Sequence, residues 1–186
     1  MADILPIYGY GFAVLKRRAA AIELPSEEKA AFAESMFATM DASDGVGLAA
    51  PQVGVSERLF VIDSRPMIDE DSDEQGIRRA FFNPELLEES GELVGYEEGC
   101  LSIPGIRESV ERQSIVRIRY QDARGKSHEE TFDGMTARVI QHEYDHIEGI
   151  LFIDRINPLR KRLLKKRLLK VSQGEFSTSY KMKYPR

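Results

Sequence analysis

The chain of 186 residues lacks a long apolar run, and no stretch approaches the roughly 20 residues that span a bilayer. It has one cysteine, Cys100, so it cannot form an internal disulfide, which is typical of proteins from reducing compartments. Its first residues lack the basic and then apolar order of a signal peptide and the Arg- and Ser-rich composition of a transit peptide. We therefore expect a cytoplasmic protein without a membrane partner, with a processed organellar form as the alternative.

The composition is that of a globular protein of one domain. Hydrophobic residues make up 42% and charged residues 31% of the chain, which excludes a disordered tail, a collagen-like fibre and a disulfide mini-protein. A chain of this length can bury a substantial core without disulfide bonds.

The net charge of -5 averages two unlike parts. Residues 155–186 contain 11 Lys/Arg and one acid, a balance of +10, whereas residues 1–154 contain 15 basic and 30 acidic residues, a balance of -15. We expect an acidic catalytic part over residues 1–158 and a basic helix and tail over 159–186, both within one domain. Such asymmetry suggests that the basic part meets a polyanion.

The pattern of apolar residues predicts both helices and strands. Ser26, followed by two acids, indicates a helix start, and helical spacing continues to Met40 before Gly45 ends the run. Strands are expected at 59–62, 80–82 and 92–96, and a hairpin over 116–132. The polar segment 67–79 is expected to be a surface loop.

Two further helices are expected in the C-terminal third. One begins near Met135 and ends at Gly149, and the other runs from Leu159 to Val171 with Leu159, Leu163 and Leu168 on its apolar side. Because the strands and helices do not alternate as βαβ units, the expected fold class is α+β with mainly antiparallel pairing.

The strongest chemical pattern is His142-Glu143-Tyr144-Asp145-His146. Residues four apart on a helix project from one face, so both imidazoles can reach the same metal ion, and Glu143 is placed to act as a general base. A structural pair of histidines is the alternative.

A catalytic site usually has three protein ligands, and the best third candidate is the Cys100 thiolate, next to Gly99. A small buried apolar cysteine is the rival interpretation. Asp145 is poorly placed as a ligand and better suited to accept a hydrogen bond from an imidazole.

Three segments together resemble the peptide deformylase family. They are Gly45-Val-Gly-Leu-Ala-Ala-Pro-Gln52, Glu98-Gly-Cys-Leu-Ser102 and Gln141-His-Glu-Tyr-Asp-His146. The likeness extends over about residues 4–157, and the departures are the acidic segment 67–79 and the tail after about residue 172. The resemblance implies antiparallel sheets packed around the helix that carries both histidines.

The resemblance also implies an activity and a cofactor. Family members remove the formyl group from the N-terminal formyl-methionine of new proteins and release formate. The metal is held by Cys100, His142 and His146; it is Fe²⁺ in many members, and Zn²⁺, Ni²⁺ or Co²⁺ can substitute. Glu143 takes a proton from the attacking water. The side-chain amide of Gln52 and the backbone N–H of Leu101 stabilise the negative oxygen that develops.

A substrate with a methionine side chain needs an apolar pocket. By position, Val46, Met135 and Val139 are candidates to line it, with ordinary core packing as a close rival. The backbones of Val46, Gly47 and Gly99 are expected to pair with the extended peptide. Arg107 lies where the family often has an arginine at the pocket rim, and a solvated surface arginine is the alternative.

Two other classes of function remain open at this point. A zinc endopeptidase shares the H-E-x-x-H pattern but usually has a further Glu or His ligand downstream; Glu148 is too close to His146 for that role. A non-catalytic binding protein would have lost the metal or Glu143. For the basic C-terminal helix, docking near ribosomal RNA stands beside a solvated helix that covers the core, with a membrane surface as a weaker option and no DNA partner expected.

Overall fold

The computed structural model describes residues 2–69, 71–72 and 74–185. The elements in chain order are β1 (Ile7–Tyr8), α1 (Glu27–Ala42), β2 (Gly47–Ala49), β3 (Leu59–Asp63), β4 (Arg78–Cys100), β5 (Ile103–Gln121), β6 (Ser127–Asp133), α2 (Gly134–Ile147), α3 (Phe152–Arg155), α4 (Pro158–Ser172) and β7 (Met182–Lys183). Short 3-10 helices lie at Ala13–Lys16, Ala50–Val53 and Arg65–Met67.

Five strands form an antiparallel sheet in the order β2-β3-β4-β5-β6, between α1 and α2. Successive side chains of a strand point to opposite faces, and β3 is buried on both. Phe60 and Ile62 pack in the apolar cluster that contains α2, whereas Leu59 and Val61 pack in the cluster that contains α1. The α+β class is thereby confirmed, with α2 at the centre of one core.

The start of α1 follows the sequence pattern closely. Ser26 precedes the helix in an extended conformation, and its hydroxyl accepts a hydrogen bond from the backbone N–H of Lys29 at 3.3 Å. Glu27 and Glu28 lie in the first turn, where acids favour the positive end of the helix dipole. The helix ends at Ala42, three residues before the predicted Gly45.

The two strands predicted at 80–82 and 92–96 are parts of the single strand β4. The pairing of β4 with β5 shifts register at four places, and such irregularities interrupt the periodicity on which the sequence prediction rests. The tip of this hairpin, where β4 ends at Cys100 and β5 begins at Ile103, brings the cysteine toward α2.

The acidic segment 67–79 contains Glu74, whose carboxylate covers the N-terminus of α2. The backbone N–H groups of Met135 and Thr136 donate to Glu74 Oε2 and Oε1 at 3.2 and 2.9 Å. Gly134 lies at the same point, where an added Cβ would be 2.3 Å from the Glu74 carboxylate. Glu70 and Asp73, in the same predicted loop, lie outside the described residues.

The prediction for the apolar side of α4 was wrong at two positions. Leu168 is buried, but Leu159 and Leu163 are each 67% exposed. The core-facing residues are Leu164, Leu168 and Val171, spaced by four and three, and Leu163 lies about 100° from Leu164 around the helix. The many leucines of α4 make more than one helix phase compatible with its sequence.

A second, two-stranded sheet joins the two ends of the chain. β1 and β7 pair in parallel, with Ile7 opposite Met182 and Tyr8 opposite Lys183. The sequence analysis predicted mainly antiparallel pairing and did not foresee this parallel pair, because a two-residue strand is too short to produce a periodic signal. Among the described residues, every helix is too short or too polar to cross a membrane.

Candidate active site

A cleft of about 660 Å³ lies where the β4–β5 tip, the start of β2 and helix α2 meet. Its lining includes predicted site residues from each of the three motifs and two from outside them. They are Val46, Gly47, Gln52, Gly99, Cys100, Leu101, Arg107, Val139, His142 and Glu143. The ring of His146 lies deeper, buried behind His142.

Cys100, His142 and His146 form one cluster of potential metal ligands. Each offers a ligand atom, and the three atoms all lie within 4.8 Å of one another. The Sγ of Cys100 is 3.3 Å from Nε2 of His146. The helical spacing of four places both imidazoles on one face, and the hairpin tip supplies the thiol from 46 residues away in sequence.

Glu98 orients His142. Its Oε2 accepts a hydrogen bond from Nδ1 of His142 at 2.9 Å, which directs the other ring nitrogen toward the cluster. For the protein groups alone, burial opposes the charge on His142, but hydrogen bonds to Cys100 and Glu98 outweigh it and raise the pKa to about 10. Burial and the neighbouring His142 lower the pKa of His146 well below its usual value.

A buried ionic network holds Glu98 in place. Arg112 donates to both Glu98 oxygens at 2.7 and 2.9 Å, and Arg138 donates to Glu98 Oε1 at 3.0 Å. Although burial opposes ionisation of Glu98, the hydrogen bonds from Arg112 and His142 keep its pKa below the usual range. Asp145 accepts from Arg112 at 2.8 Å and also pairs with Arg155. Asp145 therefore contributes to the network through its arginine partners. The acceptor of the imidazole N–H is Glu98, and not Asp145 as the sequence analysis predicted.

Glu143 is 3% exposed, and its Oε2 has no hydrogen-bond partner among the described residues. Burial raises its pKa to about 7, despite the nearby His142, which acts in the opposite direction. A Cβ at Gly47 would lie 2.3 Å from Glu143 Oε1, so only glycine leaves room for this carboxylate. The buried and unpartnered oxygen is suited to bind a water molecule or a substrate N–H at the cleft.

The amide of Gln52 has a fixed orientation. Its Oε1 accepts from the backbone N–H of Ala49 at 2.8 Å, so the NH₂ group points the other way. Nε2 lies 3.4 Å from Cys100 Sγ and 3.3 Å from Ser102 Oγ. The donor face of Gln52 is therefore directed at the cluster of potential metal ligands.

Among the predicted substrate-binding residues, Met135 is the one outside the cleft lining. It lies seven residues before His142 on α2, about 10 Å along the helix axis, and its backbone N–H contacts Glu74 instead. Arg107 is exposed at the cleft; its guanidinium lies against Gly99 and donates to the carbonyl of Glu97 at 3.0 Å.

Besides the role of Glu98, the sequence analysis missed two contributions to the site. The first is Arg112, which has a signal: even-numbered residues of β5, such as Val110 and Val116, face the core, so an arginine in that phase indicates a buried charge. The second is the segment Ser177–Tyr180, which lines the cleft from the C-terminal tail. Nothing in its sequence indicates that position.

The donor set fits a divalent metal ion. One thiolate and two imidazoles suit Fe²⁺, Zn²⁺, Ni²⁺ and Co²⁺, and Glu143, whose Oε2 is unpartnered among the described residues, lines the same cleft as Cys100 and His142. Three protein ligands leave a coordination position open, which is the arrangement of catalytic metal sites.

Comparisons with known proteins agree with this geometry. The sequence model of the polypeptide deformylase family matches residues 4–162. A peptide deformylase of Cytophaga hutchinsonii is 52% identical over 182 residues, covering 98% of each chain. The crystal structure of peptide deformylase from Thermotoga maritima aligns with a TM-score of 0.74 at 42% identity, over 84% of this chain and 99% of that one. A plant peptide deformylase aligns with a TM-score of 0.83 at 32% identity, over 92% and 90% of the two chains. The chain belongs to the polypeptide deformylase family, whose metallohydrolases remove the formyl group from the N termini of nascent peptides.

Proposed function

We propose that this chain deformylates N-formylmethionyl peptides in the cleft described above, with Cys100, His142 and His146 holding one divalent metal. The observation that carries these assignments is the convergence of the three ligand atoms at a cleft that Glu143 also lines, with its buried Oε2 unpartnered among the described residues. When bound, the metal lowers the pKa of a water ligand and polarises the formyl oxygen.

The residues of the chain divide the remaining work. Glu143 accepts a proton from the water that attacks the formyl carbon, and a base with a pKa near 7 suits this task at neutral pH. The Nε2 group of Gln52 and the backbone N–H of Leu101 donate to the oxygen on which negative charge develops. Protonated Glu143 then gives its proton to the leaving nitrogen as the C–N bond breaks, and formate and a free amine result.

The peptide lies between two backbone segments. Val46 and Gly47 at the start of β2 and Gly99 near the end of β4 line the cleft, where they can pair with an extended chain. Val46 and Val139 supply apolar surface for the methionine side chain, and Arg107 lies at the rim. Met135 contributes through the start of α2 and not through direct contact.

The test of the base is the rate on formyl-Met-Ala-Ser with anaerobically purified protein. Replacing Glu143 with glutamine should lower kcat by about 10² to 10⁴ while metal content is kept. Glu111→Gln, an exposed acid on β5, is the matched control and should keep the full rate. Retained activity in the Glu143 variant would refute its assignment as the base.

The test of the ligands compares two proposed ligands with a histidine outside the cluster. His142→Ala should lose the metal, as should Cys100→Ala, whereas His128→Ala should keep it because His128 pairs with Asp122 at the hairpin, 3.0 Å away. We propose Fe²⁺ as the native ion, because many members of the family hold Fe²⁺ and a thiolate with two imidazoles accommodates it. Metal analysis of anaerobically purified protein that finds only Zn²⁺ would contradict this choice.

The zinc-endopeptidase alternative is disfavoured by the third ligand. In this chain the third donor is a thiol from a strand end upstream of the helix, and Glu148 is paired with Arg58 at 2.6 Å instead of facing the cluster. Cleavage of an unformylated peptide bond by the purified protein would favour this alternative.

We propose that α4 docks on the ribosome, near the emerging substrate. Three basic side chains of α4 have neither an ion-pair partner nor a hydrogen-bond partner within the described residues: Arg162, Lys165 and Lys166. Leu159 and Leu163 are exposed beside them, so the surface offers both charge and apolar contact. An exposed helix with this combination suits RNA together with a protein surface.

Co-sedimentation with ribosomes tests this surface. Replacing the three unpaired basic residues with alanine should weaken binding and reduce the salt slope by about two to three, one unit per lost phosphate contact. The matched control replaces the three basic residues whose partners are Glu108, Asp154 and the Gly105 carbonyl: Arg160, Lys161 and Arg167. Equal binding by the two triple variants would reject the docking surface.

We also propose that the enzyme works in the cytoplasm and that residues 159–186 belong to the same domain as residues 1–158. The single cysteine supports a reducing compartment. Leu164, Leu168 and Val171 pack in the same apolar cluster as Ile103, which supports one domain. Separate unfolding transitions for the two parts would contradict it.

A further inference from the structure

The tail that follows α4 is attached to the body of the protein at both ends. At its start, the ring of Phe176 lies so close to Gly105 that an added Cβ there would be 2.6 Å from it. At its end, β7 pairs with β1: Ile7 N–H donates to the carbonyl of Lys181, and Gly9 N–H donates to the carbonyl of Lys183, both at 2.9 Å. The segment between these attachments is therefore held across one side of the cleft.

Tyr180 connects this segment to the active-site hairpin. Its hydroxyl donates to the carbonyl of Leu101 at 2.9 Å, and its ring packs in the apolar cluster that includes Met40 and Leu48. Thr178 Oγ1 donates to the carbonyl of Tyr180 at 2.7 Å, which fixes the backbone before β7. The tail thus contacts the residue next to Cys100.

The two-stranded sheet holds the hairpin tip through two carbonyls. Tyr10, just after β1, donates its backbone N–H to the carbonyl of Ser102 at 2.8 Å, and Tyr180, just before β7, donates to the neighbouring carbonyl of Leu101. The peptide group of the Leu101 carbonyl is joined at the Leu101 Cα to the peptide group that carries the Leu101 N–H and follows Cys100. A shift of that carbonyl therefore changes the backbone torsions at Leu101, next to its N–H and Cys100. Displacements of about 1 Å at a reacting site cost rate more than binding.

We propose that Tyr180 is a positioning residue of this enzyme: its hydroxyl fixes the Cys100–Ser102 turn, so that the C-terminal tail is a working part of the active site. The inference rests on the proposed function for its effect on the reaction, although the contact itself does not. Residues 177–180 lie beyond the family match, and the chemistry of the three motifs does not require them.

The test compares two tyrosines of the same tail. Tyr180→Phe keeps the packed ring and removes only the hydroxyl, whereas the hydroxyl of Tyr184 contacts Met182 Sδ at 3.2 Å, away from the cleft. In the zinc-loaded full chain, Tyr180→Phe should lower kcat on formyl-Met-Ala-Ser about three- to tenfold, with KM within twofold and metal content unchanged. Tyr184→Phe should behave as the unchanged protein.

A second measurement needs no substrate. Hydrogen exchange of the Leu101 and Ser102 amides, followed by NMR, should be about three- to tenfold faster in Tyr180→Phe and unchanged in Tyr184→Phe. Equal exchange and equal kcat in the two variants would overturn the proposal, as would a loss of rate explained by lost metal. If the unchanged protein were inactive on the formyl peptide, the proposed function would fail, and Tyr180 would then position no deformylation step.

Discussion

The Glu143 carboxylate occupies the space that a side chain at Gly47 would need. An added Cβ at residue 47 would be 2.3 Å from Oε1 and 2.7 Å from Cδ of Glu143. Both residues are buried, and β2 and α2 are packed against each other, so neither can move away freely. The glycine of the first motif and the glutamate of the third are therefore complementary in shape.

Gly47→Ala should displace the base and lower kcat/KM at least about a hundredfold. The cost in the free energy of unfolding should be about 1–3 kcal/mol, because one methyl group is forced into a filled region. Gly95→Ala is the control, since the nearest atom to its added Cβ is Ser109 Oγ at 3.4 Å, and its activity should be unchanged. Steady-state kinetics and urea unfolding measure both effects, and an active Gly47→Ala enzyme would contradict the steric argument.

Glu98→Gln should weaken the metal site through His142. The substitution removes the charged acceptor of His142 Nδ1. It also removes the negative charge that neutralises the buried guanidinium groups of Arg112 and Arg138. Metal affinity, measured by competition with a chelator, should fall about 10- to 100-fold. Stability should fall by about 3–5 kcal/mol, because the remaining buried charges lose a partner.

Glu92→Gln is the control for that change, because Glu92 is an exposed acid on the same strand. It should leave metal affinity and stability unchanged. If Glu98→Gln bound metal as tightly as Glu92→Gln, the orientation of His142 would not depend on Glu98.

The lowered pKa of Asp63 predicts that the protein loses stability in acid. Hydrogen bonds from Arg65, opposed by burial, and from Arg78 lower its pKa to about 2. Because the pKa is lower in the folded state, the contribution is complete above the unfolded pKa of about 3.9 and is lost as the pH falls toward 2. In urea unfolding, the difference between the unchanged protein and Asp63→Asn should be at most about 2 kcal/mol at pH 7 and about 1 kcal/mol at pH 3. A difference independent of pH would show that Asp63 does not act through its charge.

The sequence was sufficient for the elements whose signals are local. Ser26 and the two acids after it predict the start of α1, and the spacing of His142 and His146 predicts two ligands on one helix face. Cys100 could be named from the residues as a third ligand, but only the family resemblance favoured this role over that of a small buried apolar residue. The burial of Arg112 could be predicted only from the alternation of buried and exposed residues along β5. That alternation includes Arg112 only because the strand begins at Ile103.

The position of Tyr180 at the cleft could not be predicted from local sequence patterns. Its contact with Leu101 joins residues 79 positions apart and depends on a parallel pairing of two strands of two residues each. Neither strand is long enough to show periodicity, so only the packed structure brings the tail to the cleft. The exposed leucines of α4 illustrate a different limit, because a helix rich in leucine is compatible with several buried faces.

The helix phase of α4 can be measured with two adjacent leucines. Leu164 is 6% exposed and belongs to the same apolar cluster as Ile103 and Ile106, whereas Leu163 is 67% exposed. Leu164→Ala should lower the free energy of unfolding by about 2–5 kcal/mol, because the vacated volume is enclosed. Leu163→Ala should change it by less than about 0.5 kcal/mol, since its side chain is mainly in solvent.

The two variants have the same composition and the same helix propensity, so a difference between their free energies of unfolding can arise only from burial. Equal losses of stability would mean that α4 packs with a different face, and would support the apolar side with Leu163 that the sequence analysis predicted. If Leu163→Ala also weakens ribosome binding at unchanged stability, the exposed leucine belongs to the docking surface with Arg162 and Lys166.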